Sequence, residues 1–422
     1  MPATMSSRKM EIRWEALALV CAAFIAGCRP RASPLVFEPQ ARPILAVASS
    51  APELKLLPSG VVLASLVEPK AGGGDDLFFC TSSTGADVFT QSLQLNAGVG
   101  SVHPHREGTP RLLTGKPGNY YALWTGSAPS GDGMALFLAR SDNFGHSFSK
   151  PVALDAPSGG AHPYFNGAVA PNGTMIVVWI AYDRVPGAVP DTGVLELIRS
   201  TDGGRSFSPP ARVTIDVCPC CRPEIEFGGR GAWYLSWRHV DPDQERDIVV
   251  ASSHDDGSIW SQETRVSRDG WHINGCPDSG SSLALLDGKV FVAWYTVIDG
   301  ELRLFWSESD DDGRRFGRRQ DLSGDVRDPN HPYLEVVGDR LLAAFQGRDP
   351  DQDHGWANER IYLRQIAPAV APAPTALPHG PGSAAYPVMT ALGPNEVMTA
   401  WTDLSDGGSR ALSVRGYFEP AR

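Results

Sequence analysis

Three cysteines fall within four positions of the stretch DVCPCCRPEI, at Cys218, Cys220 and Cys221, and a fourth, Cys276, follows in WHINGCP. The chain has only 7 cysteines in 422 residues, so this grouping calls for a chemical reason. Three chemistries are open to it. In an oxidising compartment such thiols pair as disulfides. As thiolates they hold a soft metal such as Cu(I), although a C-x-C-C run is too compact for a tetrahedral zinc clip. As free thiols they do redox chemistry.

A second set combines imidazole, guanidinium and phenol. His103 and His105 (SVHPHREGTPRL), His162 (GAHPYF), Arg222 (CCRPEI), His331 (PNHPYL) and Tyr386 (SAAYPVM) each precede or open a β-rich run. Arg184, Arg238 and Arg348 follow other such runs. These groups suit hydrogen bonding to a ligand, and arginine suits bidentate pairing with a carboxylate. Metal spacing is poor: His103-x-His105 is the one close pair, and no H-E-x-x-H occurs. The loop RDPDQDHG (Arg348–Gly355), similar to VDPDQERD (Val240–Asp247), has calcium-loop character. Its Gly355 falls one position late, and no bidentate Glu follows at the required spacing. No cofactor is therefore expected, with calcium and copper as the metals left to test.

What positions these residues is a repeat. An apolar strand ending near an aromatic returns as VVLASLVEP (from Val61), YYALWTG (Tyr120), IVVWIAY (Ile176), WYLSWRH (Trp233), VFVAWYT (Val290), LLAAFQG (Leu341) and VMTAWTD (Val397). Helical periodicity is nearly absent, and Gly, Pro, Asp and Ser turns punctuate the runs, which predicts an all-β chain. Seven copies at roughly 45–60-residue spacing predict one β-propeller of four-stranded antiparallel blades, seven favoured over six. The mouth of its channel is then built from loops into first strands and loops out of second strands, which is where the second set lies. The CPCC turn falls between the third and fourth units on that side, and Cys276 introduces the fifth. Two disulfides among Cys218, Cys220, Cys221 and Cys276 are expected, at least one of them from CPCC to Cys276. Cys218–Cys276 with Cys220–Cys221, and Cys221–Cys276 with Cys218–Cys220, are two of the open pairings. Cys80, in the strand-like LFFCTSS, is expected to be a buried free thiol.

Arg8, Lys9 and Arg13 precede the run ALALVCAAFIAGC, which is too short to span a bilayer and predicts a signal peptide over residues 1–28. Ile25-Ala26-Gly27-Cys28 resembles the lipobox of bacterial lipoproteins. That resemblance implies a lipid on Cys28, which becomes the mature N-terminus and holds the chain on a bacterial membrane, facing the periplasm or the outer surface. Residues 29–50 suit a tether, and a strand near Val36–Leu45 is available to complete the last unit. Residues 51–420 form the propeller. The formal charge of −11 without a basic cluster argues against nucleic acid, and leaves a glycan or an envelope protein as partner, with the chain a monomer.

The turns SDNFGHSF (Ser141–Phe148), STDGGRSF (Ser200–Phe207), SHDDGSIW (Ser253–Trp260) and SDDDGRRF (Ser309–Phe316) resemble the Asp-box of sialidase-like (BNR-repeat) propellers, the first with Asn143 in the Asp place. In sialidases the resemblance implies three arginines on the sugar carboxylate, an Asp acid/base, and a Tyr nucleophile assisted by Glu. Tyr386 falls where that Tyr would stand, and Asp75 or Asp76 near the acid. The F/Y-R-I-P motif carrying the first arginine is missing around Ala51–Leu54, and Cys221-Arg222-Pro223 echoes it in another unit. C-x-C-C followed by W-x-I-x-G-C-P (Trp271–Pro277) resembles a group of exported bacterial BNR-repeat proteins often called exo-alpha-sialidases. The expectation is a propeller binding a glycan or protein at its funnel face. A sialidase-type hydrolase, and a metal or redox protein using the cysteines, are the alternatives.

Overall fold

The computed structural model describes residues 32 and 34–419, apart from 84–87, 91–92, 99–100, 129–132, 155–162, 183–184, 230 and 352–357. The signal segment, Cys28, His162 and Arg184 lie outside the described residues. Among the described residues there is no helix, and none therefore long and apolar enough to cross a membrane.

The strands form antiparallel groups of four. The seven apolar runs are second strands: Val62–Pro69, Tyr120–Ser127, Met175–Ala181, Trp233–Val240, Lys289–Ile298, Arg340–Arg348 and Glu396–Ser405. Each pairs with a first strand on one side and a third on the other. One eight-stranded sheet consists of two such groups joined where Val217 faces His239. In the last group the outer place beside Gly408–Phe418 is filled from the N-terminus. Leu35 pairs there with Phe418 and Arg42 with Ser413. First strands pack on one another in succession, and Ser383–Gly393 packs back on Ser50–Leu56.

Strand periodicity explains the packing. Along Met175–Ala181, the residues Met175, Val177, Trp179 and Ala181 pack with Leu113, Tyr121 and Leu123 of the preceding group. Ile176, Val178 and Ile180 face the other way, onto Ile225, Trp233, Leu235 and Trp237 of the next. A strand with sheets on both faces must be apolar at every position, which is why MIVVWIA does not alternate. Trp124, Trp179, Trp237, Trp294 and Trp401 occupy matching places in five second strands and are fully buried.

The four S-x-(D/N)-x-G turns share one hydrogen-bond pattern. In the second copy Gly204 N–H donates to Ser200 Oγ (2.8 Å), and the Arg205 and Ser206 N–H groups donate to Asp202 Oδ1 (both 2.9 Å). Gly204 has φ +72°, the left-handed region that glycine enters without a Cβ clash. The acids of these turns are spent on their own backbone.

Candidate functional site

Four first strands carry an X-Pro step in or just before their first half: Ala51-Pro52, Arg222-Pro223, His331-Pro332 and Tyr386-Pro387. Proline costs nothing where a strand has no ladder partner for its N–H. Strand register slips at three of these steps, between Ser50 and Glu53, Asn330 and Tyr333, and Ala385 and Val388. Ala51, His331 and Tyr386 have φ of +49°, +50° and +56° there. Such bulges re-aim side chains, and non-glycine residues in this region store of order 1 kcal/mol each. Here they turn His331 and Tyr386 toward each other, with ring centroids 4.7 Å apart.

Glu107, which no sequence signal singled out, ties this end together. Its Oε2 accepts the N–H of Gly280 (2.7 Å) and of Arg222 (3.4 Å), and its Oε1 meets His331 Nδ1 at 2.8 Å. A carboxylate only accepts, so Nδ1 carries a proton. Burial pushes the Glu107 carboxyl up. The His331 hydrogen bond, the charges of His331 and Arg222 and the Gly280 N–H outweigh it, and the net direction is down.

Beside this hub lies a cavity of 430 Å³ lined by His331, Tyr386, Glu359, Asn330, Arg106 and Asp278, among others. Glu359 is buried, and its Oε2 accepts from Gln346 Nε2 (2.9 Å). Burial raises the Glu359 pKa, and the His331 charge and hydrogen bonds from the Asn330 and Gln346 side chains oppose it. Burial also pushes the Tyr386 hydroxyl up to about 12, so it acts as a neutral donor or acceptor. Arg106 is ion-paired with Asp278, which also accepts from Tyr164 (2.8 Å). A larger groove of 550 Å³ runs past Tyr182, Asp191 and Pro219, but its lining brings no comparable set of polar groups together.

A second cavity of only 30 Å³, room for about one water, lies against Glu107, Arg111, Arg222 and Tyr333. Arg111 pairs with Glu53 (3.0 Å) and Arg222 with Glu224 (3.3 Å). Further along the same first strands stand Lys55, Glu226 and Glu335. Burial, then the Glu224 charge, pushes Glu226 up to about 8, and burial pushes Glu335 up to about 7. A carboxyl whose folded pKa exceeds its unfolded value supports the fold while protonated. That support is complete below about pH 4.5 and is lost as pH rises toward 7–8. Glu226→Gln is expected to stabilise the protein at pH 8 by about 1–2 kcal/mol and to change little at pH 4, the figure being discounted for partial solvent access. Thermal unfolding at the two pH values measures this. A gain at pH 4 that vanishes at pH 8 would contradict the assigned direction.

Of the residues singled out in sequence, Tyr386 and His331 share the larger cavity and Arg222 joins them at the smaller one. The others stand elsewhere. Arg238 is an interior strut: it donates to the carbonyls of Arg246 (3.2 Å), Ser279 (3.1 Å) and Tyr295 (2.8 Å) and lies 5.4 Å over the Trp271 ring. Arg348 is ion-paired with Asp328. His103 Nε2 meets Ser127 Oγ (2.8 Å), and the His105 ring packs 5.8 Å from Tyr164. Asp76 is buried with Lys70 (3.1 Å) and Asn96 (2.8 Å), and Asp75 bridges to Val102. Neither aspartate lines either of the two cavities that Tyr386 lines here.

The cysteines meet at the rim of the larger cavity. Cys220 is bonded to Cys276, so the CPCC turn is crosslinked to Cys276 as expected, though by neither of the pairings named from sequence, and Cys218 and Cys221 do not form the expected second disulfide. Cys218 and Cys221 are buried free thiols with sulfurs 3.1 Å apart. A site built on the Cys218, Cys220 and Cys221 sulfurs conflicts with the disulfide, which takes Cys220. Burial opposes ionisation of Cys218, but the Cys221 thiol, Arg238, the Cys220 N–H and Arg246 outweigh it and bring it down to about 6. Cys80 is buried and free, its thiol pushed up to about 12 by burial.

No family model matches the chain, and no curated protein matches it. Among solved structures it is similar to an ulvan lyase, described as a new family of polysaccharide lyase and bound to -[GlcA(1-4)Rha3S]-. The TM-score is 0.54 at 13% identity, over 90% of this chain and 95% of that one. The fold is a propeller. A protein of unknown function from Dyadobacter fermentans gives a TM-score of 0.48 at 14% identity, over 90% of this chain and 100% of that one. A Hadza microbial sialidase gives 0.48 at 16%, over 72% of this chain and 64% of that one. At these identities the likeness is one of fold.

Proposed function

We propose that this chain is an exported envelope lipoprotein, held to a bacterial membrane through Cys28, whose seven-bladed propeller binds a glycan in the 430 Å³ cavity beside His331 and Tyr386. Seven first strands packed in closed succession support the blade number. The observation that carries the ligand class is the polar lining of this cavity, where His331, Tyr386, Glu359, Asn330 and Asp278 come together. Sugar hydroxyls hydrogen-bond such groups, and Tyr386 adds an aromatic face. A recessed cavity suits a small chain of sugars better than the broad surface that a protein partner needs.

The charges favour a neutral glycan. Among the described residues, the one guanidinium lining the cavity, Arg106, is taken by Asp278. A carboxylate sugar would meet Glu359 and Asp278 without a free arginine. Tyr386, Glu359 and Asp278 in one cavity support a second reading, a glycoside hydrolase acting on a neutral sugar. Purified protein is to be screened against arrayed neutral and acidic glycans and assayed with fluorogenic glycosides, a sialoside among them. Binding to neutral glycans without turnover is the expected result. Turnover abolished by Tyr386→Phe would replace binding with hydrolysis, and preference for sialosides would refute the charge argument.

A further inference from the structure

The cysteines touch the proposed glycan cavity at one end only. Cys276 is exposed and lines it, while Cys218, Cys220 and Cys221 are buried behind. Three distances define what they can do. The Cys218 sulfur lies 3.7 Å from that of Cys220, one half of the existing disulfide, and 3.1 Å from that of Cys221. Arg246 Nη1 lies 3.4 Å from the Cys218 sulfur, placing a fixed positive charge where a thiolate would form. A thiolate within contact of a disulfide sulfur, with a resolving thiol behind it, is the arrangement that disulfide exchange requires.

We propose that the four cysteines form a thiol–disulfide exchange relay whose outward end, Cys276, reacts with small thiols and disulfides. The Cys218 thiolate attacks the Cys220 sulfur. A Cys218–Cys220 bond forms, the Cys220–Cys276 bond breaks, and the electron pair leaves on Cys276 as a thiolate. Cys221 then attacks Cys218, closing Cys218–Cys221 and releasing Cys220, which takes up the proton that Cys221 gives up. One disulfide and two thiols remain throughout, so the internal exchange needs no outside oxidant. A small disulfide RSSR completes the oxidation. The Cys276 thiolate forms Cys276–SR and releases one RS⁻, and Cys220 displaces the second. Cys220–Cys276 is restored beside Cys218–Cys221, and RSSR has become two thiols.

The test uses the full-length protein under native conditions with N-ethylmaleimide, followed by digestion without reduction and mass mapping. Wild type is expected to accumulate label on Cys276 and Cys220, with Cys218 and Cys221 joined to each other. Cys218→Ser is expected to slow labelling of Cys276 by about tenfold or more, because the attacking thiolate is gone. Equal labelling of Cys276 in both proteins, or label confined to Cys218 and Cys221, would overturn the relay. Oxidised glutathione gives a check that needs no variant. Wild type should lose two hydrogens in mass and yield a Cys218–Cys221 crosslink with Cys220–Cys276 intact. Persistence of both thiols would overturn the proposal.

Discussion

Glu107→Ala is expected to lower folding stability by about 3–5 kcal/mol, the range for removing one partner from a buried charged network. The loss is large because three donors depend on one carboxylate: the N–H groups of Gly280 and Arg222 and the Nδ1–H of His331. The first two lie on the chain before the fifth and fourth groups, and His331 opens a first strand of the sixth. The substitution therefore loosens three groups together and frees the His331 ring that faces the cavity. Glu107→Gln, which keeps the shape and one acceptor, should lose less. The pH dependence has a definite sign. A carboxylate held below its unfolded pKa of about 4.5 contributes stability above that pH and loses it as pH falls further. The alanine variant should therefore unfold with a shallower acid limb than wild type. Chemical unfolding at pH 7 and pH 4 measures both effects, and a loss below about 1 kcal/mol would show that Glu107 is a surface acid.

Cys276→Ser is expected to cost about 4 kcal/mol under non-reducing conditions. The Cys220–Cys276 bond spans 56 residues, and closing a loop of that length removes that much entropy from the unfolded chain. It also joins segments that introduce neighbouring groups, so its loss lets the cavity rim move. Reductant should lower the unfolding midpoint of wild type and leave the variant unchanged. Equal midpoints for the two proteins without reductant would contradict the crosslink.

The difference between these two predictions shows what the sequence discloses. The crosslink was legible because cysteines are rare and because the repeat gives each turn an address. The second strands were legible too, since a strand buried on both faces leaves a continuous apolar run with its tryptophan in place. Glu107 was not legible. It meets Gly280 and His331 across 173 and 224 residues, and no local pattern marks a position whose meaning comes from convergence around an axis. Glu359 is similar, since only the fold brings it into one cavity with His331 and Tyr386. Arg238 shows the opposite error. Its position at the end of a second strand pointed to the mouth, yet three backbone carbonyls hold the guanidinium inward. Tyr386 was marked by its place in the repeat, but the bulge that aims its ring appears only in the backbone.

Titration calorimetry of a neutral oligosaccharide selected on the array, against wild type and Glu359→Gln, tests the glycan cavity most directly. In the variant the amide oxygen stays with Gln346 and the amide nitrogen, a donor, replaces the second carboxylate oxygen. Affinity is expected to fall about tenfold, equal to roughly 1.4 kcal/mol for one lost hydroxyl hydrogen bond. Unchanged affinity in a correctly folded Glu359→Gln protein would place the ligand elsewhere and contradict the function proposed for this cavity.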